Sequence, residues 1–68
     1  MKVTVCLKIY KDIDIDLSEK IIDEIADNNL YVYSIPKIRQ LFEENGGMKN
    51  IEIVNMFCEE KDKYIFED

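Results

Sequence analysis

The sequence predicts a small α+β domain, with two helices packed mainly on one face of a sheet of three or four strands. Three observations lead to this fold class. Residues 1–10 alternate between aliphatic and mixed side chains, as in a strand with one buried face. Two later segments repeat apolar residues at helical spacing. Residues 50–67 are rich in strand formers, so the predicted order is β-α-(β)-α-β-β.

The length of the chain predicts one compact domain, residues 1–68. A chain this short buries only about 60% of the surface that its unfolded form exposes, so we expect its free energy of unfolding to be small. Small folds of this kind are often supported by disulfides, a metal or oligomerisation. Two cysteines and no histidine leave too few ligands for a structural zinc site, so oligomerisation is the favoured support.

The first strand is followed by a segment, residues 11–17, in which Asp alternates with Ile and Leu. This segment either prolongs the strand or forms an extended arm that leads to the first helix. The helix starts near residue 17, because Asp16 before Glu19 has capping-box spacing and Ser18 is an alternative N-cap. Residues 27–29, Asp-Asn-Asn, end it.

The second half of the chain contains a further helix and a hairpin. Residues 30–33 predict either a short strand or an extended connector. The second helix starts at Ser34 or Ile35, has Pro36 in its first turn, and ends at residues 45–47, Asn-Gly-Gly. Residues 50–59 and 63–67 then predict two strands joined by a polar loop.

The side-chain pattern of the strand at residues 50–59 leaves its faces open to two interpretations. With regular alternation, Ile51, Ile53 and Phe57 face the helices and Val54, Met56 and Cys58 face away. Regular alternation also turns Asn55 toward the core, which indicates a β-bulge near residues 54–55 that would change these assignments. The predicted core comprises Val3, Val5, Leu7, Ile9, Ile21, Ile25, Ile38, Leu41, Phe42, Ile51 and Ile53.

The net charge of −6, from fifteen acidic and nine basic residues, bears on the partner. Nucleic acids and anionic membranes require clusters of Lys and Arg, so neither is a predicted direct partner. No apolar run approaches the roughly 18 residues of a membrane span, and the N-terminus has no signal-peptide pattern, so we expect a cytoplasmic protein. A basic protein is the predicted partner.

Catalytic and metal-binding chemistry finds little support in the sequence. Without histidine, the thiols of Cys6 and Cys58 have no Cys-His pairing, and the sequence does not settle whether they form a disulfide. Asp12, Asp14 and Asp16 have the alternate spacing of calcium-loop ligands. Leu17 occupies the position where that loop needs glycine, so we expect these aspartates to face water while the intervening isoleucines face inward. We predict no enzyme activity, no metal and no cofactor.

The sequence therefore predicts a non-enzymatic, acidic protein-binding module. Its most specific form is a phage or mobile-element inhibitor that occupies a basic, nucleic-acid-binding site on a host protein. The alternative is a structural or regulatory homo-oligomer, such as a homodimer, that associates through an open sheet face. The predicted partner-binding residues lie on that face or in acidic pairs: Tyr10, Val54, Met56, Cys58, Glu43, Glu44, Glu59 and Glu60.

Overall fold

A computed structural model describes residues 1–8, 11–47 and 52–67 and confirms the α+β class. In these ranges the elements are β1 (Lys2–Leu7), β2 (Lys11–Asp16), α1 (Glu19–Asp27), a 3₁₀ helix (Asn29–Ser34), α2 (Pro36–Glu44), β3 (Ile53–Cys58) and β4 (Lys63–Glu67). The strands form an antiparallel sheet in the order β2-β1-β3-β4, which leaves β2 and β4 at its edges.

The alternating Asp-Ile segment neither prolongs β1 nor forms an extended arm, so that part of the prediction is wrong. It is a separate strand, β2, that folds back on β1, and the predicted order of elements lacked this strand. Lys2 pairs with Asp16 and Leu7 with Lys11, in unbroken antiparallel register. Ile13 and Ile15, partly buried, pack against the hydrophobic core, while the aspartates of β2 are exposed. The expected orientation of both residue types is therefore confirmed.

The predicted caps position both helices. Ser18 is the N-cap of α1, and its hydroxyl accepts the Ile21 N–H at 3.3 Å. Pro36 begins α2, where its missing N–H has no helical partner to lose. Beyond α2, Gly47 has a φ of 87° and donates its N–H to the Phe42 carbonyl at 2.7 Å, which ends the helix.

Residues 30–33 lie within the 3₁₀ helix, so the prediction of a strand or an extended connector is wrong. The Asn28 side chain accepts the Leu30 N–H at 3.2 Å and so caps the start of this helix. Val32 is fully buried, and the Tyr33 ring stacks on Phe42 with centroids 6.0 Å apart. Local capping and packing thus override the β propensity of this segment.

Two β-bulges decide which side chains of β3 and β4 are buried. Cys6 pairs with Asn55 and Leu7 with Ile53, so Val54 is an extra residue in β3. Ile65 is likewise extra in β4, between the pairs Phe57–Tyr64 and Met56–Phe66. The bulge suspected near residues 54–55 is therefore present, and it reverses the alternation of β3.

Both helices bury their apolar sides against one face of the sheet. The buried residues of the described chain are Val3, Val5, Leu7, Leu17, Ile22, Ile25, Val32, Ile35, Ile38, Leu41, Phe42, Ile53, Met56, Cys58, Ile65 and Phe66. Ile21, predicted as core, is partly buried and packs at the margin. Ile9 and Ile51, also predicted as core, lie outside the described residues.

Candidate protein-binding surface

The face of the sheet opposite the helices forms a continuous surface, here called the open sheet face. Its residues alternate with the core residues of each strand and are set side by side by the strand register. They are Lys2, Thr4 and Cys6 from β1, Asp12, Asp14 and Asp16 from β2, Asn55 and Phe57 from β3, and Tyr64 and Glu67 from β4.

An aromatic pair occupies the β3–β4 side of this face. Phe57 and Tyr64 are cross-strand neighbours whose rings meet edge to face, with centroids 5.0 Å apart. Tyr64 is 53% exposed, and the bulge residue Val54 is 37% exposed. A shallow cavity of about 330 Å³ lies among Val54, Asn55, Tyr64 and Glu67. The apolar part of the face is therefore accessible to a partner.

A polar network covers the β1–β2 side of the same face. The Thr4 hydroxyl donates to Asp14 Oδ1 at 2.7 Å, and Lys2 Nζ lies 3.4 Å from Asp14 Oδ2 and 3.5 Å from Glu59 Oε2. The Thr4 hydrogen bond, followed by the charge of Lys2, lowers the pKa of Asp14. Asp14 therefore stays ionised to a lower pH than an ordinary aspartate.

Negatively charged side chains predominate on the open sheet face. Lys2 is its basic side chain, whereas β2 contributes three exposed aspartates and β4 contributes Glu67. Cys6 lies between them, and a hydrogen bond with Asp12, together with desolvation, raises the pKa of its thiol. This thiol is therefore protonated at neutral pH, the less nucleophilic form of cysteine. The face presents an aromatic pair on its β3–β4 side and a row of carboxylates on its β2 side.

Met56 and Cys58 do not lie on this face, so that part of the prediction is wrong. Both are 0% exposed and belong to the core, because the extra residue Val54 reverses the alternation of β3. The same reversal places Cys58 and Cys6 on opposite faces of the sheet. Tyr10 lies outside the described residues.

The predicted acidic pairs are exposed but do not form one cluster. Residues 43–44 end α2, next to Asn45, whose Oδ1 accepts from Lys11 Nζ at 3.2 Å. Residues 59–60 follow β3, where the Glu59 N–H donates to the Lys2 carbonyl at 3.4 Å. Lys2 and Lys11 lie at opposite ends of the β1–β2 ladder, so the two pairs lie at opposite ends of the sheet.

The aromatic pair is the feature of this surface that the sequence reasoning missed. Regular alternation assigns Phe57 to the helices and gives Tyr64 no role. The signal was the polar Asn55 in an otherwise apolar strand, since the bulge that keeps Asn55 out of the core also turns Phe57 outward.

The described residues contain neither a cluster of metal ligands nor a membrane-spanning helix. No three His, Cys, Asp or Glu side chains of residues 1–8, 11–47 and 52–67 come together as metal ligands would. None of the helices in the same ranges is long and apolar enough to cross a bilayer.

The fold and this surface define a small α+β protein with one helix-covered sheet face and one open, acidic and aromatic face. Comparisons with protein-family models, curated proteins and solved structures found no match.

Proposed function

We propose that the protein is a non-enzymatic binding module whose open sheet face receives a basic surface of another protein. The observation that carries this proposal is the Phe57–Tyr64 pair, half-buried at Phe57 and exposed at Tyr64, on a sheet face that also bears the carboxylates of β2 and that no helix of the described residues covers. Protein interfaces commonly have an aromatic-rich centre and a polar rim. Tyrosine is also among the residues that dominate binding energy in such centres.

The charge of the chain supports a basic partner. With a net charge of −6, the protein attracts positively charged surfaces over several ångströms and repels acidic ones. Such attraction speeds encounter and weakens as salt rises, because the screening length falls to about 8 Å at physiological ionic strength. A second copy of the chain presents the same carboxylates, so self-association through this face is opposed by charge.

The more specific form of the proposal is an inhibitor, encoded by a phage or mobile element, that acts in the cytoplasm on a nucleic-acid-binding protein. The aspartates of β2 occupy alternate positions of a strand, which places successive carboxylates about 6.6–6.8 Å apart along it. That interval is about twice the 3.4 Å axial spacing of charges on one DNA strand. A row of carboxylates at this interval supports competition with phosphates for a basic groove.

The experiment captures partners on immobilised protein and compares two pairs of matched variants. Asp12→Lys on the open sheet face and Glu43→Lys on α2 change the net charge equally. Tyr64→Ala removes an exposed ring, and Leu30→Ala removes a side chain that is 75% exposed on the 3₁₀ helix. A captured protein is then purified, and its Kd is measured by calorimetry at low and high salt.

We expect a basic partner whose affinity falls with salt and falls further with Asp12→Lys and Tyr64→Ala, but not with the two controls. Equal affinity for all four variants would overturn the assignment of the open sheet face. A wild-type homodimer that Tyr64→Ala converts to monomers, seen by light scattering, would instead favour the homo-oligomer.

A further inference from the structure

The outer edge of β2 exposes backbone groups that are not paired with any strand of the described residues. The Leu17 N–H donates to the Met1 carbonyl at 2.9 Å, so this pair is hydrogen-bonded. Hydrogen-bonded pairs alternate along an antiparallel ladder, so Ile15 and Ile13 also direct their backbone groups to β1. The N–H and C=O groups of the aspartates therefore point outward.

Within residues 1–8, 11–47 and 52–67, the one bond to this outer backbone edge comes from a lysine. Lys37 Nζ donates to the Asp16 carbonyl at 2.6 Å, at the end of the strand. The backbone groups of Asp12 and Asp14 have no such partner in these ranges. β2 also pairs with β1 without a bulge, and it contains neither glycine nor proline. The feature that protects this edge is its charged side chains, which oppose a strand of like charge but not a strand of opposite charge.

The opposite edge of the sheet differs in this respect. β4 contains the extra residue Ile65, and a bulge bends and twists the strand that carries it. Bulged edges pair poorly with an incoming strand. The regular edge, β2, is therefore the edge of this sheet that suits strand addition.

A groove with an apolar floor runs beside β2 on the helix side of the sheet. Its volume is about 350 Å³, and it lies between β2 and α2. Ile13, Ile15 and Leu41 supply its apolar lining, and Gln40 and Glu44 belong to its polar lining. A strand added to β2 would direct every second side chain into this groove and the others over the aspartates.

We propose that the edge of β2 binds an extended segment of a partner protein in which basic and apolar residues alternate. The side chains of β2 determine which partner sequence fits, because an added strand places its own side chains beside those of β2 on each face. Lys or Arg would then lie beside Asp12 and Asp14, and apolar residues beside Ile13 and Ile15. This inference rests on the proposed function for the charge of the partner and adds the conformation that the partner adopts.

A second copy of the chain is disfavoured at the same edge. Antiparallel pairing of two β2 strands in one continuous sheet brings their rows of aspartates next to each other on the same face. Like charges on neighbouring strands are destabilising. The aspartates therefore oppose self-addition and favour a basic strand.

The probe is the acetylated and amidated hexapeptide Lys-Ile-Lys-Ile-Lys-Ile, titrated into the full chain by calorimetry and by NMR of the backbone amides. Two peptides are controls: Lys-Lys-Lys-Ile-Ile-Ile, of equal composition, and the alternating peptide N-methylated at every second residue on its hydrogen-bonding edge. We expect the alternating peptide to bind more tightly than either control, by about tenfold or more. It should slow hydrogen exchange of the Asp12 and Asp14 amides but not of β4.

Asp12→Pro and Asp12→Asn form the matched pair of variants. Proline removes an N–H that points away from β1, so no ladder bond of the sheet is lost. Asparagine removes the charge and keeps that N–H. We expect Asp12→Pro to weaken the alternating peptide by about tenfold or more, and Asp12→Asn to weaken it by about threefold.

Equal affinity of wild-type protein for the alternating and N-methylated peptides would overturn the strand-addition proposal, since charge alone would then explain binding. That comparison needs no variant, so it stands even if Asp12→Pro fails to fold. With a captured partner, loss of binding in Tyr64→Ala together with equal affinities for Asp12→Pro and Asp12→Asn would remove the edge site and leave the proposed function. Weaker binding by Asp12→Pro than by Asp12→Asn, with Tyr64→Ala unchanged, would leave the edge site and remove the open sheet face.

Discussion

Truncation of Met56 tests the bulge that assigns the faces of β3. Met56 is 0% exposed and lies between its cross-strand neighbours Val5 and Phe66. Met56→Ala removes most of this buried side chain and leaves a cavity, because the surrounding strands and helices cannot fully close around alanine. Met56→Leu keeps the volume and serves as the conservative variant.

The expected cost of Met56→Ala is about 2–5 kcal/mol, the range measured for Leu, Ile or Met truncations in buried sites. Natural domains have about 0.05–0.15 kcal/mol of stability per residue, which for 68 residues is about 3–10 kcal/mol. The substitution therefore removes a large part of the free energy of unfolding. Met56→Leu should cost less than about 1.5 kcal/mol.

Urea denaturation followed by far-UV circular dichroism measures both variants against Val54→Ala. Val54 is two residues away and 37% exposed in the bulge, so its truncation should cost less than about 1 kcal/mol. The midpoint of unfolding should fall most for Met56→Ala, with an unchanged slope. Equal midpoints for Met56→Ala and Val54→Ala would refute the burial of Met56 and the bulge behind it.

Three further predictions concern a cap, a titration and a cation. Ser18→Ala should destabilise the protein by about 0.5–2 kcal/mol, because the N-cap bond to Ile21 is lost; Ser34→Ala, outside any cap, is the control in thermal unfolding. Thr4→Val should raise the Asp14 pKa toward its ordinary value, as read from carboxyl NMR shifts. Because the pKa of Asp14 is lower in the folded state than in the unfolded state, ionised Asp14 stabilises wild type at pH values above the unfolded pKa. This stabilisation is lost as the pH falls through the folded pKa. The difference in stability between wild type and Thr4→Val should therefore shrink below about pH 4. Millimolar calcium should leave the Tm nearly unchanged; a rise of several degrees that Asp14→Asn abolishes would revive a calcium site.

The fold class and the helix boundaries followed from local signals in the sequence. Ser18 and Pro36 define the starts of the two helices, and Gly47 defines the end of the second, through backbone geometry within a few residues. Such signals depend only on residues within one or two turns of each other, so they can be recognised in the sequence. The orientation of Ile13 and Ile15 in β2 likewise followed from period-two alternation.

The faces of β3 and the course of residues 30–33 depend on contacts between distant segments. Whether Met56 or Phe57 is buried depends on the pairing of Cys6 with Asn55, a register that no local pattern fixes. The 3₁₀ helix depends on burial of Val32 and on stacking of Tyr33 against α2. The sequence could raise the suspicion of a bulge, but only the pairing of the strands could place the extra residue.

The extra residue in β3 has a consequence for how the chain tolerates insertions and deletions. Val54 has no Cα partner in β1, so its deletion alone would leave Ile53 opposite Leu7 and Asn55 opposite Cys6 in regular alternation. Met56 and Cys58 would keep their places in the core, and Asn55 and Phe57 would stay on the open sheet face. A codon deletion at Val54 should therefore be accepted about as readily as a point substitution there, because neither change moves a buried side chain out of the core.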